Sequence, residues 1–320
     1  MKVLVTGGLG YIGSHTCVEL SKKYSVVIAD NLVNSKIEVL DRINGIAYSK
    51  VVFEKIDLRN KKDVALLFKK HADISGIIHF AALKAVGESV EKPIKYYNNN
   101  LVSLLNLIGK IKEEPVPFIF SSSCTVYGEV DILPISENSP IKPAISPYGN
   151  TKQIGEEILV DTANVTENLE VILLRYFNPI GAHHSNAIGE LPIGKPQNLV
   201  PFITQTAAGI YPKLTVFGDD YPTEDGTNIR DYIHVVDLAE AHIVALERML
   251  YKNLKHSYEI YNLGTGKGSS VLEVINSFER VSGVKLAYEI GKRREGDVVA
   301  AYADTSKAEK ELNWKTKRTL

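Results

Sequence analysis

The stretch KVLVTGGLGYIGSHTCVEL, residues 2–20, sets the strongest limit on what this chain can fold into. A short apolar run meets Gly7, Gly10 and Gly13, and a helical pattern with Ile12, Cys17, Val18 and Leu20 among its apolar positions follows at once. A strand that turns into a helix over three glycines is a phosphate-binding turn. The first glycine permits the tight turn, the second lets a pyrophosphate approach the backbone, and the third lets helix and strand pack closely. The helix N-terminus then offers free N–H groups and positive partial charge to the anion. A glycine-rich turn without a ligand uses the same residues, and the glycines alone do not separate the two. Asp30 does. It ends the apolar run SVVIAD about 20 residues on, where a carboxylate can accept hydrogen bonds from an adenosine ribose. It would repel a 2′-phosphate, which favours NAD over NADP. Alone, Asp30 would read as a turn or cap residue.

The rest of the first half alternates in the same way. VVFEKID, GIIHFAA, PFIFSSS and LEVILLRYF read as strands. KKDVALLFKKH, with Val64, Leu67 and Phe68 on one face, IKYYNNNLVSLLNLIGKIK, and SPYGNTKQIGEEILVDTA after Pro147 read as helices. Strands separated by helices form right-handed βαβ units and a parallel sheet, and near-continuous apolar runs such as GIIHFAA belong to strands buried on both faces. A chain of 320 residues exceeds one ordinary compact core. The expected fold class is α/β: a doubly wound Rossmann-type parallel sheet with a smaller C-terminal substrate-binding α/β domain. The expected boundaries are residues 1–176 for the NAD-binding domain and 177–320 for the second, with about 231–262 returning to pack on the first. DYIHVVDLAEAHIVALERML reads as a strand and helix returning to the sheet, and PIGAHHSNAIGELPIGKPQNL as a long loop. Chemistry is expected at the carboxyl ends of the strands, just after Thr6, Asp30, Phe80 and Ser121.

Composition excludes several classes of function. Net charge is -1, which leaves no basic surplus to draw nucleic acid or an anionic membrane. No apolar run reaches the ~18 residues that span a bilayer. MKVLVTGG meets its glycines too soon for a signal peptide, and Cys17 and Cys124 show neither metal spacing nor a disulfide framework, so a cytoplasmic address is expected. His79, His183, His184 and His234 have no metal-binding spacing, and no catalytic metal is expected.

Tyr148 and Lys152 lie four apart in SPYGNTK, on one helix face. A phenol titrates near 10 in isolation, and a neighbouring ammonium lowers that value, as would a nicotinamide cation. The pair can then act as a general base towards a sugar hydroxyl. Most Tyr–Lys pairs on exposed helices do no chemistry; this one follows a strand whose end carries Ser121, Ser122 and Ser123. One of the three serines is expected to bond the same substrate oxygen, and the other two to satisfy local backbone.

The glycine spacing G-x-x-G-x-x-G resembles the extended, sugar-nucleotide-modifying branch of the short-chain dehydrogenase/reductase superfamily. TGGLGYIGSHT, DNLVNSK, HFAALKAVGESV, FSSSCTVYGE, SPYGNTK, LRYFNPIGAH and RDYIHVVDLAEAH together resemble the UDP-glucose 4-epimerase family over nearly the whole chain. The resemblance implies Tyr148 as base, Lys152 as its electrostatic partner and Ser123 as the catalytic serine. For NAD it implies Gly7, Gly10, Tyr11, Ile12 and Gly13 at the pyrophosphate and Asp30, Asn31, Asn34 and Ser35 at the adenosine ribose. Asp57 and Leu58 match adenine contacts, Phe80, Ala81, Ala82, Lys84 and Asn99 the middle of the cofactor, and Phe177 a residue beside the nicotinamide. For a UDP-sugar it implies Asn178, Asn198 and Leu199, with Phe217 at the uracil, Arg230 and Arg294 at the diphosphate, and Asp297 at the uridine ribose. Arginine forks suit phosphate oxygens, as a carboxylate suits a ribose diol.

The implied reaction oxidises the sugar at C4, turns the keto sugar in the pocket and reduces it from the opposite face, with NAD regenerated each cycle. Ungapped alignment puts Ala301 where some relatives wall the sugar pocket with a bulky Tyr, with Tyr302 one residue later. A small wall leaves room for a 2-acetamido group, so UDP-GlcNAc and UDP-GalNAc are candidate substrates. The resemblance also implies a homodimer through helices such as IKYYNNNLVSLLNLIGKIK; relatives usually continue into one more helix where this sequence stops at ELNWKTKRTL. Two rivals remain at this stage. A 4,6-dehydratase or decarboxylase of the same branch is the nearer, though Cys124 and Thr125 stand where dehydratases carry acidic residues. A non-catalytic NAD-binding sensor is the other.

Overall fold

The computed structural model of the chain describes residues 1–294 and 297–320; Glu295 and Gly296 of the KRREGD segment lie outside it. The first half runs β1 (Lys2–Thr6), α1 (Tyr11–Leu20), β2 (Ser25–Asp30), α2 (Glu38–Ile46), β3 (Val52–Lys55), α3 (Lys61–Lys70), β4 (Ile74–His79), α4 (Val86–Glu91), α5 (Pro93–Ile111), β5 (Phe118–Ser121), α6 (Pro147–Val165) and β6 (Val171–Tyr176). The second half continues through β7 (Asn178–Ile180), α7 (Leu199–Ala207), β8 (Leu214–Phe217), β9 (Ile229–Arg230), β10 (Tyr232–His234), α8 (Val235–Leu250), β11 (Tyr258–Leu263), β12 (Ser269–Ser270), α9 (Val271–Ser282), β13 (Tyr288–Gly291), β14 (Ala300–Ala301) and α10 (Ser306–Leu312).

Seven strands form one parallel sheet in the order β11-β6-β5-β4-β1-β2-β3. Alternate residues of each strand feed two separate cores. Val3, Val5, Ile28, Ile78, Ile119 and Ile172 pack with α1 and α8 on one face. Leu4, Val27, Ile77, Phe118, Phe120 and Leu173 pack with α5 and α6 on the other. Both faces are covered, which is why these strands read as continuous apolar runs. Strand order reverses between β1 and β4, so the loops that follow them diverge. They leave a crevice at the carboxyl edge.

The seventh strand differs from the expectation. Tyr232–His234 does not join the main sheet; it pairs with β7, Tyr232 opposite Asn178. The strand that completes the sheet is β11, Tyr258–Leu263, in parallel register with β6. Periodicity marks a segment as a strand but says nothing of its partner. The helix α8 does lie on the sheet, with Leu238, Ala241, Ala245, Leu246 and Met249 in the first core. α9 also went unread, although an S-x-x-E pattern announces it: Ser270 and Glu273 form a reciprocal capping box, and Gly283 ends the helix at φ 72°. α7, α9 and the β8–β13 pair enclose a smaller core of Ile203, Leu214, Val216, Val274, Ile275 and Leu286.

Of the buried imidazoles, three are sealed most deeply: His15 on α1, His79 on β4 and His242 on α8. Burial lowers His79 to about 3, and His15 and His242 to about 4. An unfolded histidine titrates near about 6.5, so below that pH the unfolded chain binds protons that the folded chain refuses. The stability these groups confer is complete above that pH and is lost as the pH falls towards the folded values. Melting temperature should therefore decline steadily between about pH 6.5 and about pH 4. A flat profile across that window would mean these imidazoles do not stay neutral in the fold.

Candidate active site

The glycine turn is pressed tightly into the sheet. Gly7 has φ +67°, and a Cβ there would lie 2.8 Å from the Ala81 nitrogen after β4. A Cβ on Gly13 would lie 2.4 Å from the Gly7 carbonyl oxygen. Gly10 is different, since its Cβ would meet only that same carbonyl, at 3.2 Å. Gly10 is the N-cap of α1, makes no side-chain cap, and no acidic residue follows in the first turn. The helix N–H groups are thus left to an external anion.

Asp30, only 6% exposed, joins this turn to the loop after β2. It accepts from the Leu9 N–H at 3.2 Å, the Leu32 N–H at 2.9 Å and the Ser35 hydroxyl at 2.8 Å. The crevice beside it is lined by Gly7, Asp30, Asn31, Asn34, Asp57, Leu58, Ala81, Ala82 and Asn99, all cofactor candidates from the sequence. Val33, Arg59 and Ser103 line it as well and were not foreseen. Arg59 sits 2.6 Å from Asp57 and holds that carboxyl below its ordinary value. Phe80 and Ile12 pack against the core, Phe80 with its ring centroid 4.7 Å from that of His242. Tyr11 donates to the Gly181 carbonyl at 2.6 Å. Lys84 and Asn198 converge on one carboxylate oxygen of Glu190, at 2.9 and 2.6 Å. The donor set fits a dinucleotide: an open backbone anion site, a buried acid for a ribose, and a slot between diverging loops.

At the end of β5 two of the three serines bond distant side chains. The Ser121 hydroxyl bonds Tyr176, and Ser122 donates to Glu156. The Ser123 hydroxyl accepts from the Thr125 N–H at 3.2 Å and lies near enough to the Tyr148 phenol to favour its ionised form. The expectation that two of the serines merely satisfy backbone is corrected, because α6 and β6 bring polar side chains that sequence spacing could not place there. Lys152 donates to the Ser121 carbonyl at 2.6 Å, with its ammonium 4.7 Å from the Phe120 ring centroid.

The electrostatics also correct the sequence expectation. Burial pushes the Tyr148 phenol well above its ordinary value, Tyr176 adds to the effect, and the Ser123 hydroxyl draws it back. Burial lowers Lys152 to about 8, with Glu156 opposing. A phenolate deprived of water is costly, and burial is the largest influence on Tyr148.

Opposite lies a second group of polar side chains. Asp297 accepts from Arg230 at 3.3 Å and from Arg294 at 2.9 Å. The Arg294 guanidinium lies 4.8 Å from the centroid of the Phe217 ring. Phe177 is buried with Val126 and Tyr127, and Ala301 and Cys124 pack on the same cluster. Ala301 is in register with Arg230, whereas the Tyr302 ring lies 3.3 Å from where a Gly268 Cβ would be. Asn178 opens β7 and Leu199 packs on the smaller core. Asp231 was not foreseen. It accepts from Thr265 N–H, Thr265 hydroxyl, Gly266 N–H and Ala303 N–H, while its own backbone bonds Asn178 and Ala301. Its signal was in RDYIH, but the partners lie at distant positions. Among the described residues, no group of three or more His, Cys, Asp or Glu side chains is placed to hold a metal ion.

With this geometry in view, comparison with known proteins is informative. The family model for GDP-mannose 4,6 dehydratase matches residues 4–320. A UDP-glucose 4-epimerase of Bacillus subtilis is 49% identical over 322 residues, covering 100% of this chain and 94% of its own length. The crystal structure of UDP-glucose-4-epimerase from Stenotrophomonas maltophila, with bound NAD and formylated UDP-arabinopyranose, is 47% identical. It superposes with a TM-score of 0.95 and covers 100% of this chain and 94% of that one. The Bifidobacterium longum enzyme in complex with NAD+ and UDP is also 47% identical, with a TM-score of 0.93 and the same coverage of 100% and 94%.

The glycines separate packing from binding. Gly13→Ala forces the Gly7 carbonyl aside and should lower the melting temperature by several degrees, for an overpacking cost of about 1–3 kcal/mol. Gly10→Ala should melt close to the parent protein yet lose copurifying NAD, because only the ligand side of the turn is filled. Equal losses of melting temperature in the two variants would remove the distinction.

Proposed function

The chain belongs to the UDP-glucose 4-epimerase family of the extended short-chain dehydrogenases/reductases, and from that membership we propose how its residues divide the work. The enzyme is an NAD-dependent isomerase that interconverts UDP-glucose and UDP-galactose at sugar C4. What supports the division of roles is that Lys152 bonds the end of β5 from the α6 face that also carries Tyr148, beside Ser123.

Tyr148 takes the proton of the sugar 4-hydroxyl and returns it, while Ser123 bonds the same oxygen. Lys152 holds positive charge near the phenol. When bound, NAD supplies the oxidation and reduction at C4 and a positive charge that opposes the effect of burial on Tyr148. Gly7, Gly10, Tyr11, Ile12 and Gly13 hold its pyrophosphate. Asp30, Asn31, Asn34 and Ser35 hold the ribose, Asp57 and Leu58 the adenine, and Phe80, Ala81, Ala82, Lys84, Asn99 and Phe177 the remainder. Arg230 and Arg294 grip the UDP diphosphate, Asp297 the uridine ribose and Phe217 the uracil, with Asn178, Asn198 and Leu199 completing the pocket. A reaction that must present both faces of the sugar benefits from firm binding of UDP and a loose hold on the hexose.

The packing of Ala301 beside Cys124 and Phe177, with Tyr302 turned towards Gly268, supports Ala301 as the sugar-pocket wall and UDP-GlcNAc and UDP-GalNAc as further substrates. Cys124 and Thr125 after Ser123 argue against elimination of water in the manner of a 4,6-dehydratase. No described helix is long and apolar enough to cross a membrane; the address proposed is cytoplasmic. Ile94 and Leu105 of α5, 77% and 50% exposed, support a homodimer through that helix.

Purified protein given UDP-galactose without added NAD should form UDP-glucose; turnover only after NAD is added would mean a loosely held cofactor. Tyr148→Phe should lower kcat by about 10²–10⁴-fold while UDP-sugar still binds, and unchanged turnover would remove Tyr148 from its role. Ala301→Tyr should suppress turnover of UDP-GalNAc and spare UDP-galactose, whereas equal effects on both would count against the wall.

A further inference from the structure

One helical turn beyond Lys152 lies a carboxylate that none of the roles above employs. Glu156 is 6% exposed and stands on the α6 face that carries Tyr148 and Lys152. It accepts from the Ser122 hydroxyl at 2.5 Å, and from Arg175 Nε and Nη2 at 2.9 and 2.5 Å. Arg175, itself buried, belongs to β6, the strand next to β5. Three successive turns of α6 thus engage three successive residues at the end of β5. Tyr148 lies near Ser123, Lys152 binds the Ser121 carbonyl, and Glu156 binds the Ser122 hydroxyl.

We propose that Glu156, clamped by Arg175, is a positioning residue for epimerisation: it keeps the end of β5 in register with α6, so that Ser123 meets Tyr148, and it sets negative charge one turn from the Lys152 ammonium. The inference rests on the roles of Tyr148, Lys152 and Ser123 given above.

The surroundings of Lys152 explain why such a charge matters. Its ammonium lies over the Phe120 ring in a buried site, and burial lowers it to about 8. The ionisable groups of this site are Tyr148 and Glu156 on its own helix, His79 on β4, Cys124 and Tyr176 beside Tyr148, and Arg175 bonded to Glu156. Burial keeps His79, Cys124, Tyr148 and Tyr176 uncharged, and Arg175 is a cation. Glu156 is the anion among them, and it acts to keep Lys152 protonated. A buried ion pair is weak support for stability alone, because apolar residues of similar volume often serve as well.

The test compares holoenzymes. Glu156→Gln keeps the shape and removes the charge. It should lower kcat by about tenfold or more with KM changed less than about threefold. The alkaline limb of the kcat profile should move down by about 1–3 pH units, since an ammonium without its anion loses its proton sooner. Glu156→Gln combined with Arg175→Met removes the guanidinium that the first variant leaves without its carboxylate, and should show a limb displaced in the same direction. A folded variant of either kind whose limb coincides with that of the parent would overturn the electrostatic role. Ser122→Ala leaves every charge in place. It should cost kcat severalfold without moving the limb, and parental kcat would overturn the register role, whether or not the charge variants fold. Tyr148→Phe separates the two levels of the reading. If it is inactive while the limbs stay unmoved, only the present inference fails; if it is active, the assignment beneath it fails.

Discussion

The site depends on how closely α6 can approach the end of β5. A Cβ on Gly155 would sit 2.8 Å from the Phe120 ring, and one on Gly149 would sit 3.3 Å from the Thr125 carbonyl. Glycine inside a helix costs about 1 kcal/mol relative to alanine. Here it removes the side chains that would hold helix and strand apart. At the resulting distance a tyrosine, a lysine and a glutamate on successive turns each reach a serine at the strand end. Widen that gap and the phenol, the ammonium and the serine no longer share one place.

Close approach has an electrostatic consequence. Excluding water raises the Tyr148 phenol and lowers the Lys152 ammonium, so the isolated pair resists the charged states its proposed chemistry uses. Glu156 offsets part of this from within the protein, and the cofactor's own positive charge would act on the phenol. A site of this kind is poised only in the holoenzyme. That is a physical reason for an epimerase to keep its NAD.

The same economy governs the substrate side. Arg230 and Arg294 share Asp297, so their donors are held in place by an acid that is itself assigned to the nucleotide. Asp231 then ties β9, β14, β7 and the GTG turn at 264–266 together through its side chain and backbone. Tyr11 and Lys84 reach across from the dinucleotide side to Gly181 and Glu190. The segments proposed for cofactor and substrate are therefore fastened to each other, not merely adjacent.

Local chemistry made much of this legible in the sequence. Gly7 and Gly13 must lack side chains whatever else the chain does, the apolar runs of β4 and β6 demand a sheet covered on both faces, and Tyr148 and Lys152 share a helix face by spacing alone. Asp30 was legible from its distance to the glycines. What the sequence could not supply was company across distance. Ser122 with Glu156, Glu156 with Arg175, Asp231 with residues 265, 266 and 303, and β11 rather than Tyr232–His234 as the seventh strand all depend on which elements become neighbours. The direction of the Tyr148 shift belongs to that group too. Proximity to Lys152 is a property of the helix, whereas burial is a property of everything packed against it. Periodicity and spacing act along the chain and are written in it; desolvation and pairing between distant residues exist only once the chain has folded.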